Sequence, residues 1–379
     1  MNPEAPPDDR PLRRGWTTGT CATAAAKAAY TALLTGEFPD PVEVTLPRGE
    51  RPAFALAVAR RDADSATAGV VKDAGDDPDV THGALVFATV RAGTSGGGVS
   101  FRAGKGVGIV TRAGLPVPPG EPAINPVPRR MICDAIAEVA AAIGGPRDVE
   151  VEIGVADGER LAARTLNARL GIVGGLSILG TTGIVVPYSC SAWIHSIHRG
   201  IDVARAAGLS HIAGATGSTT EAAVQKFHQL PEIALIDMGD FVGAMLKYVR
   251  RHPVQRVTIA GGVAKMTKLA QGLLDLHSKR GAVDLGALAH FARAAGGSDV
   301  LAQRIMASNT AAEAFAHATA ATVMLGDEVA RAAQATAADV AAAAGTDIEV
   351  LLFDRDGRLA GQAPFHTPHG GAPARNRRR

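Results

Sequence analysis

The chain has 379 residues, of which 46% are hydrophobic and 4% aromatic. This composition can supply a large core, which excludes a disordered or fibrous chain, and the length favours two domains. The 39 lysines and arginines nearly balance the 37 aspartates and glutamates, so the basic excess of a dedicated nucleic-acid binder is missing. Three widely spaced cysteines without a Cys-X-X-Cys pair indicate a reduced, cytoplasmic compartment rather than a disulfide or zinc module.

The two ends of the chain differ in composition from the rest. Residues 1–12 predict a flexible arm without the apolar segment of a secretory signal, and residues 362–379 predict a disordered basic tail. Residues 170–194 carry no charge, but glycines and a proline interrupt them, so we expect a buried strand and loop rather than a membrane span. Between the ends, we expect a first domain over 13–165 and a second over 166–361.

The first domain alternates short β-type runs with turn residues. Strands are predicted at 42–46, 53–59, 66–71, 84–90, 149–155 and 160–165. The last two flank an Asp-Gly turn, which favours a hairpin. Helices are expected at 21–34 and 129–143, each followed by a glycine stop. Helices on a largely antiparallel sheet predict a two-layer α+β domain.

In the second domain, strand-like and helix-like segments alternate. Strands are predicted at 175–179, 211–215, 233–237, 257–261 and 348–353. Helices are predicted at 190–207, 218–229, 240–251 and 263–277, with more helix over 284–295, 298–306 and 309–343. This alternation predicts βαβ units and a Rossmann-like parallel sheet, so the chain as a whole is assigned to the α/β class.

Small polar loops follow the predicted strands of this second domain. In an open parallel sheet such loops share the carboxyl edge, where ligands bind and glycine lets them approach the backbone. The absence of a Gly-Lys-Ser/Thr motif and of Gly-X-Gly-X-X-Gly disfavours a P-loop nucleotide or NAD. We predict a nucleoside-like cofactor site, with Asp237 accepting from ribose hydroxyls. Its residues are Gly180, Thr181, Thr182, Gly183, Gly214, Thr216, Gly217 and Asp237.

A carboxylate-rich loop follows the strand predicted at 66–71. Its spacing is not that of an EF-hand, so calcium is not expected. Crowded carboxylates can hold a raised pKa, which makes Asp73, Asp76 and Asp77 candidate catalytic residues. Lys72 is a candidate partner for a substrate carboxylate. The alternative is a solvated turn around the proline at position 78.

Other candidate substrate contacts lie near helix starts. Thr17, Thr18 and Thr20 would cap a helix whose free N–H groups attract an anion, although a plain cap is equally compatible. Arg129 and Arg130 stand at a helix start, where cations oppose the helix dipole, and this conflict indicates an anionic ligand.

Three further side chains complete the candidates. Lys105 lies in a glycine-rich stretch, although a strand rather than a helix follows, so the stretch is a weak phosphate cradle. His195 and His198 are spaced i, i+3, and because no third ligand is evident we expect His195 to contact substrate rather than a metal. Cys21 at a helix start lacks a partner base and is a weak candidate nucleophile.

Six segments of the chain are long enough to be specific together. They are GWTTGTCATAAAKAA (15–29), VVKDAGDDPDVTHG (70–83), GKGVGIVTRAGL (104–115), EPAINPVPRRMI (121–132), ARLGIVGGLSILGTTGIVVP (168–187) and AGGVAKMTKLA (260–270). In this order they closely resemble the cobalt-precorrin-5B C(1)-methyltransferase family of anaerobic cobalamin biosynthesis. The resemblance implies a two-layer α/β domain followed by a Rossmann-like domain.

The resemblance also implies the chemistry. S-adenosylmethionine would methylate C-1 of cobalt-precorrin-5B to give cobalt-precorrin-6A, with the cobalt carried by the substrate and no metal site in the protein. Such a macrocycle carries many carboxylates, and arginine suits bidentate carboxylate pairing. Candidate clamps are Arg13, Arg14, Lys72, Lys105, Arg112, Arg129, Arg130 and Arg169.

Two alternatives stay open from sequence. A nucleotide-dependent oxidoreductase would use the same sheet edge, and a non-catalytic tetrapyrrole-binding protein would bind the macrocycle without the methyl donor. In every case we expect a small-molecule partner rather than nucleic acid or membrane, and the sequence leaves open whether the chain forms a homo-oligomer.

Overall fold

The computed structural model describes residues 11–342 and 345–365. Most of the predicted arm (1–10) and of the predicted tail (366–379) lie outside the described residues, but residues 362–363 belong to a strand rather than to a tail. The chain divides into two compact units, Met1–Ser191 (unit 1) and Ala192–Arg379 (unit 2).

The predicted boundary between residues 165 and 166 is therefore wrong. Residues 166–191 belong to unit 1 because they are hydrogen-bonded into it. The amide of Asn125 donates to the carbonyl of Ile178 at 2.9 Å. Further along, the Thr20 hydroxyl donates to the carbonyl of Gly183 at 2.7 Å.

Unit 1 is built on a five-stranded mixed sheet. Its strands are β1 (Gly15–Trp16), β2 (Val42–Glu43), β3 (Ala53–Phe54), β4 (Val58–Arg61), β5 (Ser65–Val71), β6 (Leu85–Ala92), β7 (Val99–Ala103), β8 (Ile109–Val110), β9 (Val149–Val155), β10 (Ile172–Val173) and β11 (Ile184–Val185). Its helices are α1 (Thr18–Thr35), α2 (Pro126–Ile143) and α3 (Gly158–Ala162). The sheet order is β4-β5-β6-β9-β7, antiparallel except for β7 against β9.

Helix α1 is the centre of the core of unit 1. The Thr17 hydroxyl accepts from the amide of Thr20, and Gly36 ends the helix in the left-handed conformation at φ 87°. Between these caps the sequence is mostly alanine, which lets the helix pack closely on β5, β6 and α2. Two helices on one sheet make the predicted two-layer α+β arrangement.

Two strand predictions in unit 1 are wrong. Residues 160–165 do not pair with β9, because α3 begins at Gly158. There the backbone lies so close to Gly106 that an added Cβ would be 2.1 Å from the Gly106 oxygen. Residues 175–179 form only isolated bridges, Leu176 with Val107 and Ile178 with Ile124. Both segments follow long-range contacts rather than their local patterns.

Unit 2 is a parallel sheet with helices on both faces. Its strands are β12 (His211–Ala215), β13 (Leu235–Asp237), β14 (Arg256–Gly262), β15 (Asp347–Phe353) and β16 (Leu359–Ala363). Its helices are α4 (Cys190–Ala206), which begins just before the unit boundary, α5 (Ser218–His228), α6 (Val242–Arg251), α7 (Val263–Ala270), α8 (Leu285–Ala294), α9 (Asp299–Met306), α10 (Ala311–Ala320) and α11 (Leu325–Ala341), with 3-10 turns at Glu232–Ala234 and Ser278–Arg280. The order is β13-β12-β14-β15-β16, and only β16 is antiparallel.

Two apolar clusters cover the two faces of this sheet. A small cluster packs Val224 of α5 against Ala213 and Leu351. A larger one joins the other face to α4 and to α6 through α11. The α/β class predicted from sequence is confirmed, and within the described residues no helix is both long and apolar enough to cross a membrane.

A chain of hydrogen-bonded polar side chains lies within unit 2, with Thr258 and Glu349 buried and two histidines half-buried. His211 Nε2 lies 2.8 Å from the Thr258 hydroxyl, which donates to Glu349 Oε2 at 2.8 Å. The same carboxylate oxygen is 2.5 Å from His228 Nε2. Burial, with help from His228 and Arg256, lowers the pKa of His211 to about 4.

This depressed pKa predicts acid sensitivity of unit 2. The pKa of an unfolded histidine is near 6.5. Between about pH 6.5 and 4, His211 is therefore protonated in the unfolded chain but neutral in the folded chain. We expect the free energy of unfolding to fall as the pH drops through that window, and the slope to be shallower in His211→Gln. Chemical denaturation across pH measures it.

The matched control is His290→Gln, which alters an exposed histidine. Its pH slope should equal that of the unaltered chain. Equal slopes for His211→Gln and the unaltered chain would contradict a neutral, half-buried His211.

Candidate functional site

The strand order of unit 2 creates a crevice at one point of the sheet edge. β12 has β13 on one side and β14 on the other, so the next strand in the chain is added to one side of β12 and the following strand to its opposite side. At such a reversal the helices after the two neighbouring strands lie on opposite faces, and ligands bind between the strand ends. We call the gap between the carboxyl ends of β12 and β14 the switch-point crevice.

Thr216 and Gly217 form one side of the switch-point crevice and Gly262 forms the other. Gly217 and Gly262 directly precede α5 and α7, and a Cβ added to either would meet no atom within 4 Å. Neither helix start has a side-chain cap, so its first N–H groups are not covered by one. The predicted contacts Thr216 and Gly217 are therefore at a place where a ligand could reach the backbone.

Asp237 ends β13, directly beside β12. Its backbone carbonyl accepts a hydrogen bond from the Trp193 indole at 3.0 Å, and the same indole packs over Gly239. An acidic residue at the end of the second strand is where dinucleotide folds hold a ribose. The predicted ribose role of Asp237 fits this position.

Gly214 does not fit the predicted contact with a cofactor. A Cβ added there would be 2.4 Å from the Met245 sulfur and 2.9 Å from that of Met238. The glycine is therefore required by core packing inside the strand rather than by a ligand.

The structure contradicts the placement of residues 180–183 at this sheet edge. The loop belongs to unit 1, where it covers the start of α1. Gly180 lies against Thr17, so that an added Cβ would be 2.3 Å from its hydroxyl, and Gly183 accepts from the amide of Thr17 at 3.1 Å. Thr182 donates to its own loop, at Ile184. Gly180, Thr181, Thr182 and Gly183 thus complete a helix start instead of joining the parallel sheet.

The same contacts engage the threonines predicted to bind substrate. Thr18 exchanges hydrogen bonds with the backbone of Leu179, and Thr20 donates to Gly183. Thr17, Thr18 and Thr20 are all buried. Since protein groups already satisfy this helix start, the plain-cap alternative is correct and a substrate anion has no access to these hydroxyls.

Lys72 is not an exposed clamp for substrate. Its side chain is 1% exposed, and its ammonium lies 2.7 Å from Asp79 Oδ2. Asp79 Oδ1 also accepts from the amide and hydroxyl of Thr81. Burial acts to raise the pKa of Asp79, but Lys72 and Thr81 together hold it below its usual value. This charge pair is internal and shapes the loop that follows β5.

Asp73 is a poor candidate for a general base. It pairs with the Arg13 guanidinium, with Nη2 2.9 Å from Oδ1, and it accepts from the amide of Gly75. These hydrogen bonds lower the pKa of Asp73 to about 2. A carboxylate this acidic holds a proton too weakly for efficient base catalysis near neutral pH, so this pairing disfavours Asp73 as the general base.

Asp76 and Asp77 both hold backbone. Asp76 accepts from the amide of Arg13 at 2.6 Å, and Asp77 accepts from the amide of Tyr188 at 2.8 Å. Tyr188 adopts the left-handed conformation at φ 55°, which a non-glycine residue rarely does unless it is held there. Asp76 is exposed, so of the predicted catalytic carboxylates it is the most accessible.

The predicted basic contacts divide into internal and open groups. Arg129 folds back onto the carbonyls of Ile124 and Pro122 and onto Glu121, which resolves the apparent conflict with the helix dipole. Arg130 and Lys105 are exposed and make no side-chain hydrogen bond or ion pair within the part of the chain that the structure describes.

Other candidates are settled by burial and contacts. His195 is exposed, whereas His198 stacks on Tyr248 with ring centroids 3.9 Å apart. No cluster of three or more metal-binding side chains occurs among the described residues. Burial raises the pKa of the Cys21 thiol to about 12, although Lys72 opposes this, so Cys21 is not a thiolate nucleophile.

A shallow cavity of about 320 Å³ lies beside the acidic loop of unit 1. Trp16, Phe54, Val70 and Val71 line it, with Asp73 at its polar end. The Trp16 and Phe54 rings meet edge to face at 5.6 Å. The cavity therefore offers a small apolar surface next to one carboxylate.

Sequence reasoning assigned no role to Lys265, Asp240 or Trp193. Lys265 Nζ lies 3.0 Å from Asp240 Oδ1 and 3.0 Å from the carbonyl of Thr216, at the switch-point crevice. The available signal was that charged residues follow β13 and β14 within a few positions, but their contact depends on the strand order.

Comparisons with known proteins identify a family and its relatives. Residues 5–187 match the family model described as CbiD, and residues 275–364 match the one described as the CbiD C-terminal domain. A cobalt-precorrin-5B C(1)-methyltransferase of Agrobacterium fabrum is 63% identical over 98% of this chain and 99% of its own length. That of Halorhodospira halophila is 64% identical over 93% of this chain and 94% of its own length.

One solved structure is also similar. It is described as a cobalamin biosynthesis protein (cbiD) from Archaeoglobus fulgidus, with 28% sequence identity over 71% of this chain and 83% of that chain, and a TM-score of 0.39.

Removing the buried charge of Lys72 tests its internal role. We expect Lys72→Met to lower the free energy of unfolding by about 3 kcal/mol, because Asp79 loses its counter-charge in a poorly hydrated position. Lys105→Met, which removes an exposed charge, should change it by less than about 0.5 kcal/mol. Denaturant unfolding measures both, and similar values for the two variants would contradict the role given to Lys72.

Proposed function

Because this chain belongs to the CbiD family, we propose that it is an S-adenosylmethionine-dependent C-methyltransferase acting on cobalt-precorrin-5B. The product would be cobalt-precorrin-6A, methylated at C-1 of a corrinoid precursor that carries the cobalt. The observation that carries the proposal is the full-length similarity to proteins named for this reaction. A cytoplasmic site of action fits the three free cysteines.

The donor is proposed to bind at the switch-point crevice of unit 2. Gly217 is proposed to contact it through its open backbone, with Thr216 beside it, and Asp237 is proposed to hold the ribose. When bound, the donor supplies a methyl group on a sulfonium, and the C–S electron pair stays with sulfur as the methyl group moves to carbon. The chain needs mainly to align donor and acceptor, since orientation alone can supply a large part of the rate.

Exposed cations in unit 1 are proposed to pair with the carboxylates of the macrocycle. Arg130 and Lys105 are the proposed contacts, because their charged groups are open to solvent. The cavity beside Trp16 is proposed to take an apolar edge of the ring system. His195 stays a proposed substrate contact on the exposed face of α4.

The reaction itself is tested directly. The full chain is incubated without oxygen with cobalt-precorrin-5B and methyl-labelled S-adenosylmethionine, and the product is analysed by mass. A labelled product one methyl group heavier is expected. Unchanged precursor, or binding of precursor without donor binding, would favour a tetrapyrrole carrier.

Removing the charge of Asp237 tests the donor site. We expect Asp237→Asn to weaken S-adenosylmethionine binding by about 1 kcal/mol, because the amide oxygen can still accept from a ribose hydroxyl but lacks the charge of the carboxylate. Titration calorimetry measures it. Asp339→Asn, on the exposed side of α11, should bind as the unaltered chain does. Equal affinities for all three proteins would reject the ribose role.

A second pair of variants tests base catalysis in the acidic loop. Asp76→Asn and Asp77→Asn keep an oxygen that can accept from the amides of Arg13 and Tyr188 but lose the basic carboxylate. If either carboxylate takes up a proton from the substrate, we expect its variant to lose about 10²–10⁴-fold in turnover with donor affinity unchanged. Full turnover with a lower melting temperature would identify the loop as structural.

A further inference from the structure

One charge pair at the switch-point crevice has no role in the function proposed so far. Lys265 is the third residue of α7, directly after the end of β14. Asp240 follows β13, and Thr216 follows β12, so the pair joins the loops after three parallel strands. It therefore stands at the point where a ligand of this sheet would bind.

The ammonium of Lys265 is only partly used by the protein. It has three N–H donors, and within the described residues one of them donates to the Thr216 carbonyl, while Asp240 Oδ1 lies 3.0 Å away as an ion-pair partner. The side chain is 36% exposed, whereas that of Asp240 is 17% exposed. One donor of a held cation is thus available on the solvent side.

Open space lies beside the two glycines that precede α5 and α7. Gly217 and Gly262 have no atom within 4 Å of where a Cβ would be, and they flank the crevice. Because the Lys265 side chain is itself partly exposed, a ligand carboxylate in the crevice has access to the ammonium.

The charges identify the kind of ligand group. Lys265 and Asp240 place one positive and one negative charge side by side, which complements an α-amino acid zwitterion. A phosphate carries up to two negative charges, and Asp240 would repel it. The pattern therefore favours an amino-acid moiety over the diphosphate of a dinucleotide.

We propose that Lys265 binds the carboxylate of the methionine part of the methyl donor, with Asp240 facing its ammonium group. This inference rests on the proposed function, because it concerns the same donor site. It makes Lys265 a binding residue that distinguishes ligands with an amino-acid moiety from ligands without one.

The experiment compares two ligands that share the adenosine and sulfur but differ in the amino acid. S-adenosylhomocysteine carries the carboxylate and the ammonium, and 5′-methylthioadenosine carries neither. Lys265→Gln removes the charge but can still donate to the Thr216 carbonyl, so the loops stay tied. Calorimetry on the full chain gives both affinities.

We expect Lys265→Gln to weaken S-adenosylhomocysteine binding about 10- to 100-fold, the range for a charge-assisted hydrogen bond, and to leave 5′-methylthioadenosine binding within about twofold. The control is Lys247→Gln, which removes an exposed charge from α6 and should change neither affinity. Equal losses for both ligands would show a structural clamp and overturn the inference, as would no loss for either.

The two proposals fail differently. If the unaltered chain binds neither ligand, the donor assignment itself is overturned. If it binds both equally well, only the inference about Lys265 is overturned.

A measurement on the unaltered chain decides the matter even if the variant does not fold. Decarboxylated S-adenosylmethionine lacks only the carboxylate of the donor. We expect it to bind at least about 10-fold more weakly than S-adenosylmethionine, and equal affinities would overturn the inference.

Discussion

A buried ammonium needs a counter-charge, and in unit 1 Asp79 supplies it to Lys72. This pair fixes the loop after β5, whose carbonyl at Asp73 accepts from the amide of Trp16. That hydrogen bond positions β1, which is followed directly by the N-cap of α1. The start of α1 is in turn hydrogen-bonded to the loop at 179–183. The charge that looked like a substrate clamp therefore organises the unit from inside.

The ligand-binding geometry of unit 2 depends instead on the order in which its strands are placed in the sheet. Because β12 was followed by a strand on one side and then by strands on the other, the loops after β12 and β14 meet across a gap. The residues in that gap come from segments far apart in sequence, among them Thr216, Asp240 and Lys265. The chemistry of the crevice is thus a product of strand order rather than of a contiguous motif.

Local pattern predicted most elements, and tertiary contact decided the rest. β9 and β12 have the predicted bounds: β9 alternates in sequence and, over its first half, in burial, whereas β12 is a short run that is buried after its first residue. The strand prediction for residues 160–165 is wrong because Gly106 packs against Gly158, a contact that no local sequence pattern reveals. Spacing likewise cannot tell whether a lysine is buried: Lys72 and Lys105 both follow or adjoin strands, yet only Lys105 is exposed. Caps such as Thr17 were predictable, whereas the protein segment that occupies them was not.

The alanine-rich helix α1 limits how unit 1 can change over evolutionary time. Its alanines from position 22 to 32 are fully buried between the sheet and α2. Every single-base change in an alanine codon that alters the amino acid introduces a bulkier, a polar or a helix-weakening residue. In a closely packed position the first overfills the core, the second buries an unsatisfied group, and the third loosens the helix. Almost no substitution of these alanines therefore leaves the stability of unit 1 unchanged. We expect sequence differences between related proteins to be concentrated in the loops and exposed strand faces of this unit.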